Sequence, residues 1–187
     1  MRGLAPVKST SGGGRRSAWR AAAAIALAAA LAGCVTSKRP LFDPSKSAMP
    51  VAAGKFVEQT VDPQGRWVDY AAIELTREGR TYQIRSDKDS ATPSFTVQDV
   101  GGGFYVGVLV TAPDKEFLYV LFEKHNEGFD SYEPVCSDFQ YVRLPNALWP
   151  ALDGKNCVYD NREKLTQALL AYARLSHPTK RYIPVKR

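Results

Sequence analysis

Glu116-Phe117-Leu118-Tyr119-Val120-Leu121-Phe122-Glu123-Lys124 sets six consecutive apolar residues between charged ends. A run this short, rich in aromatic rings and bounded by turn signals, reads as a strand buried on both faces. Its neighbours carry the same rhythm. Downstream, Asn126-Glu127-Gly128 turns the chain into a second strand over Phe129–Val135. Upstream, Ser94–Val100 and Phe104–Thr111 flank Gly101-Gly102-Gly103, a hairpin with a glycine tip. Asp69–Thr76 and Arg80–Ser86 flank Glu78-Gly79 as another hairpin. The first of these strands sets Tyr70, Ala72 and Glu74 on one face and Ala71, Ile73 and Leu75 on the other. Lys55–Thr60 alternates weakly. Strand-length segments at regular spacing predict a mainly β fold, an antiparallel meander forming a curled sheet or small barrel.

One helix is predicted, over about residues 161–176. Asp160 is placed as N-cap, and Glu163 three residues on completes a capping-box pattern. Leu165, Ala168, Leu169, Tyr172 and Leu175 recur at helical spacing and form one apolar stripe. That stripe needs a partner, so the helix is expected to close the sheet across an open end or a face. Pro178 stops it, and Arg181–Val185 suits a short last strand. Between Cys136 and Cys157 the turn pairs Leu144-Pro145, Trp149-Pro150 and Asp153-Gly154 predict an irregular loop.

The N-terminus has a different composition. Arg2, Lys8, Arg15, Arg16 and Arg20 precede an apolar run from Ala21 to Leu31, followed by Leu31-Ala32-Gly33-Cys34. A basic segment, a short apolar segment and small residues form an export signal. The apolar run is about half of the ~20 residues a membrane-spanning helix needs. The last four residues resemble the lipobox of bacterial lipoproteins. That resemblance implies cleavage before Cys34, lipidation of Cys34 and anchoring in the membrane through the lipid. Two or three acyl chains hold firmly, at roughly 0.8 kcal/mol per buried CH₂. Val35, not an aspartate, follows the cysteine, which in this family implies the outer membrane, facing the periplasm. Arg15-Arg16 raises twin-arginine export, but Ser17-Ala18-Trp19 departs from the pattern that follows such a pair, favouring the general secretory route.

Residues 1–33 are therefore expected to be a signal peptide, 34–53 the lipidated cysteine and a flexible tether, and 54–187 a single domain. Pro40, Pro44 and Pro50 among small and polar residues suit a tether. Such a stretch spans at most about 65 Å when extended. Leu41-Phe42 leaves open a second reading, docking on the domain.

Residues 1–33 hold five of the chain's 25 basic residues and none of its 19 acids. The remainder carries 20 basic against 19 acidic side chains, a net of +1, so the basic pI does not point to nucleic acid. Residues 161–187 hold seven basic residues and one acid. A basic tail of this kind suits either a solvated surface or contact with an anionic envelope component or acidic partner. In an oxidising compartment Cys136 and Cys157 are expected to pair, with two buried thiols as the alternative. Two histidines, His125 and His177, and no paired Cys-x-x-Cys argue against zinc.

No catalytic set or cofactor motif is legible. His125 sits in a turn, and His177 follows the helix end, where it complements the helix dipole. Asp87-Lys88-Asp89-Ser90 opens like a calcium loop, but Ala91 and Thr92 stand where a ligand and a glycine are needed. Gly54-Lys55-Phe56 and the pattern of strands, late helix and late cysteine pair look like a calycin architecture. That resemblance implies an apolar ligand in a barrel, with Tyr70, Tyr82, Phe104, Tyr119 and Phe122 as lining. The mature region also resembles small proteobacterial β-rich lipoproteins with no assigned activity. The reading is a non-enzymatic binding or structural module of the envelope, without cofactor or metal. Its rivals are the apolar carrier and a periplasmic hydrolase built on Glu133 and Asp138.

Overall fold

In a computed structural model, residues 33–110, 116–126 and 128–186 are described. The expected signal peptide, apart from Gly33, lies outside them. The strands are β1 (Val35–Ser37), β2 (Gly54–Val61), β3 (Trp67–Glu78), β4 (Thr81–Ser86), β5 (Ser94–Gly101) and β6 (Phe104–Val110). They continue as β7 (Phe117–His125), β8 (Gly128–Tyr132), β9 (Ala151–Asp153), β10 (Asn156–Val158) and β11 (Lys180–Pro184). Helix α1 (Asp138–Tyr141) is one turn, and α2 (Arg162–Leu175) is the long helix.

Strands β2 to β8 run as an antiparallel meander. β11 then inserts between β8 and β2, and pairs with both. Eight strands thereby close into a barrel, which leaves no sheet edge among them. Alternation along β3 turns Ala71, Ile73 and Leu75 inward. The interior is filled by rings in series: Tyr82, Phe95, Phe122, Phe129 and Tyr182 follow one another at centroid distances of 4.5 to 5.9 Å. Gly107 on β6 makes room for the Phe122 ring, which a Cβ there would strike.

A second core lies outside the barrel wall. The outward residues Val106, Val108, Tyr119 and Leu121 meet Leu165, Ala168, Leu169 and Tyr172 of α2. The helix thus covers a face of the wall, and its predicted stripe is the buried one except for Leu175, which is exposed. Its N-cap is Asn161, whose side chain accepts from Lys164 N at 3.0 Å, not Asp160. Glu163 bonds Gln167 instead of reaching back, so the expected capping box does not form. Ser176 caps the other end through Tyr172 O.

The expected flexible tether over 34–53 is corrected: this segment is part of the fold. β1 pairs with β7 and, in parallel, with β10, and all three of its residues are buried. Phe42 is buried in the outer core, as the docking alternative for Leu41-Phe42 requires. Met49 and Val51 then pack against the barrel interior, and Tyr82 Oη donates to Val51 O at 2.6 Å. This stretch plugs one end of the barrel. The apolar residues between its prolines supply the burial energy that a tether lacks.

The irregular loop expected between the cysteines is corrected by the same pairing. It contains α1 and the β9–β10 hairpin, turned at Asp153-Gly154 with Gly154 at φ 60°. β10 is ordered because β1 lies beside it. The Cys136–Cys157 disulfide is present, with Cα atoms 5.2 Å apart.

Candidate functional site

Among the described residues, the barrel end opposite the plug is open. Its cavity measures ≈ 420 Å³ and has Ile73, Ile84, Leu109 and Phe122 among its apolar walls. Five charged residues line it: Lys88 and Asp89 between β4 and β5, and a cluster of Glu58 on β2, Lys180 on β11 and Glu133 just after β8. Lys180 Nζ lies 3.2 Å from Glu133 Oε1 and 3.9 Å from Glu58 Oε1. Ser131 Oγ donates to Glu133 Oε1 at 3.1 Å. The Tyr182 phenol, on the same wall, bonds Glu58. Two carboxylates face one ammonium, so the cluster is one negative charge in excess.

Burial and neighbouring charge shift Glu58, Lys180 and Tyr182. Glu58 is 7 % exposed. Its carboxyl is pushed up by burial and by Glu133, against the pull of Lys180 and the Tyr182 hydrogen bond. Burial draws the Lys180 ammonium down, but Glu133 and Glu58 outweigh it and the net shift is upward. The Tyr182 phenol is raised well above its ordinary value by burial, then by the two carboxylates. A shift in β2–β3 register between Glu58 and Gln59 marks a bulge at this point, a device that re-aims side chains at barrel rims.

Of the side chains read as possible cavity lining, Tyr82 and Phe122 lie in the barrel interior. Tyr70 lines the open mouth and is half-exposed. Phe104 and Tyr119 belong to the outer core, where Tyr119 Oη shares a hydrogen bond with Ser37 Oγ. Alternation along β6 and β7 decides this split. The structure does not bring Glu133 and Asp138 together as a pair. Glu133 faces Lys180, whereas Asp138 Oδ2 accepts from Val135 N and from the Tyr172 hydroxyl.

Glu58, Lys180 and Tyr182 were missed in the sequence. The available signal was the weak alternation of Lys55–Thr60, in which Glu58 occupies the same face as Phe56.

A second polar group lies on the outer wall. Asp130, 3 % exposed, accepts from Arg181 Nε at 2.9 Å and Nη2 at 3.0 Å. His125 Nε2 is 3.2 Å from Asp130 Oδ2, the oxygen that also accepts from Arg181 Nη2, and Arg181 stacks over Trp67 at 4.6 Å. This group ties β7, β8, β11 and β3 together. Three of the seven basic residues of 161–187 are engaged within the fold: Arg162 covers Phe42, Lys180 enters the barrel and Arg181 holds Asp130. Asp87 and Asp89, from the calcium-like stretch, accept backbone amides of Ala72 and Ala91.

Cys34 stands at the start of β1, bridged to Val135 and half-buried. Its carbonyl accepts from Cys157 N at 3.1 Å. Burial raises its thiol, and Glu133 and Glu116 raise it further, which places it within electrostatic reach of the open mouth.

Compared with family models, curated proteins and solved structures, the chain matches none of them.

Proposed function

We propose that this chain is a lipid-anchored cell-envelope protein that acts by binding, not catalysis, and takes its ligand at the open mouth of the barrel. Cys34 is the anchoring residue, on the strength of the Leu31-Ala32-Gly33-Cys34 sequence. The observation that carries the binding reading is the group Glu58, Glu133 and Lys180 inside a ≈ 420 Å³ cavity. Burying charges costs several kcal/mol per ion, and well-packed apolar residues often serve stability as well or better. Charges kept in a barrel mouth therefore speak for recognition of a polar group, with the apolar walls holding the rest of the ligand.

A second reading, a calycin-like carrier of a wholly apolar ligand, draws on the closed eight-stranded barrel. The ring series leaves a cavity of only ≈ 20 Å³ at the plugged end, so such a ligand would have to displace side chains.

Two measurements test the proposal. The mass of membrane-extracted protein should exceed that of the chain from Cys34 by a diacylglyceryl group, and Cys34→Ala should abolish both the added mass and membrane retention. A Cys34→Ala protein that stays membrane-bound at unchanged mass overturns the anchor. Native mass spectrometry of the barrel should show a small bound molecule that is lost in Glu58→Gln/Lys180→Met. Bare protein in every preparation overturns the binding role.

A further inference from the structure

We infer that the open mouth of the barrel is seated against the bilayer, held there by Cys34 with no intervening tether. The inference rests on the lipid-anchor reading and adds an orientation to it.

No slack separates Cys34 from the fold. β1 begins at Val35, one residue after Cys34. Val35 pairs with Cys157, and the Cys34 carbonyl accepts from Cys157 N, so Cys34 remains tied to the fold after Gly33 is removed. A tether of nineteen free residues would let the barrel tumble within about 65 Å of the membrane. Here the acylated atom belongs to the sheet, so the anchor fixes which surface faces the lipid.

The surroundings of Cys34 belong to the mouth end of the barrel. Cys34 is bridged to Val135 and feels Glu133, which lines the mouth. Around the same end, Val61, Val68, Tyr70 and Val135 are exposed by 37 to 53 %. Apolar and tyrosine side chains left in water at one end of a barrel fit the interfacial zone of a bilayer. At the opposite end, sealed by Pro50 and Val51, Val185 is exposed as well, so the position of Cys34 decides which end faces the lipid.

The two ends are far enough apart to be told apart. Tyr70 and Glu78 lie on the same strand, about 26 Å from one another at ~3.3 Å per residue. A photoreactive benzophenone amino acid replaces Tyr70 in one full-length protein and Arg80, in the turn at the plugged end, in another. Each is irradiated in native membranes and analysed by intact mass. A phospholipid adduct at position 70 at least tenfold more abundant than at position 80 is expected. Equal adducts, or adducts at position 80 alone, overturn the orientation. The same spectra report acylation of Cys34. An acylated protein without adduct at 70 defeats the orientation alone, and an unacylated protein without adduct defeats the anchor as well. An adduct at 70 without acylation leaves the mouth at the bilayer and removes only the anchor.

Discussion

The ring of Phe122 on β7 occupies the space that a side chain at Gly107 on β6 would fill. The two strands are neighbours, and both positions face into the barrel. The contact joins the ring series to the wall, so the interior is packed across the β6–β7 pair.

Gly107→Val is therefore expected to destabilise the protein by about 1–3 kcal/mol, the range for overpacking a filled core. Phe122→Leu in the same chain should recover part of that loss. Denaturant melts of the two single variants and the double variant measure the coupling. Additive effects would mean that the two positions do not share space.

The disulfide closes a loop spanning 21 residues. Its removal in Cys136→Ser/Cys157→Ser should cost about 3 kcal/mol through the unfolded chain. The loss should appear as a lower midpoint in urea, and reduced wild-type protein should match the variant. Identical melting of oxidised and reduced protein would refute it.

Thr36 in β1 is 1 % exposed, and among the described residues its Oγ1 has no hydrogen-bond partner. Leaving a hydroxyl buried and unsatisfied costs about 1–3 kcal/mol. Thr36→Val keeps the shape, removes the hydroxyl and should raise stability by roughly 1 kcal/mol. A lower melting temperature would show that the hydroxyl is satisfied.

Glu58 is held above its ordinary value by burial. The folded state therefore favours the protonated form. That contribution is complete below the unfolded value of about 4.3 and is lost as pH rises through the folded value. Glu58→Gln should equal wild type at pH 4 and exceed it at pH 7, by up to about 1 kcal/mol. Thermal melts at the two pH values decide it, and a variant weaker at both would show that the Lys180 attraction outweighs burial.

Tyr82, Tyr119, Tyr132, Tyr159, Tyr172 and Tyr182 are all raised, with burial the largest cause in each. A raised value means stability that is intact below the ordinary value of about 10 and lost as pH climbs through the folded values. In alkaline titration these six of the nine tyrosines should ionise in one cooperative step, coincident with loss of β-sheet circular dichroism and separate from the phenolate absorbance of the exposed Tyr70 and Tyr141. Ionisation of all nine with the sheet intact would contradict the burial.

The strands and the long helix were legible because their signals are local. Alternation along Asp69–Thr76 and the stripe from Leu165 to Tyr172 each depend on a repeat within one element. The pairing of Cys136 with Cys157 was legible only given the export signal. β1 was not, because three residues carry no period, and Val35–Ser37 is a strand only because β7 and β10 lie on either side of it.

The same reason separates element from site. Sequence alone settles that this is a meander of short strands with one amphipathic helix. It does not settle that β11 closes the ring between β8 and β2, which joins segments far apart in the chain. That closure brings Glu58, Glu133 and Lys180 into one cavity and divides Tyr82 and Phe122 from Phe104 and Tyr119. Which face of a strand is inside depends on its neighbours and on the direction in which the sheet curls. Those are properties of long-range pairing, which no local periodicity encodes.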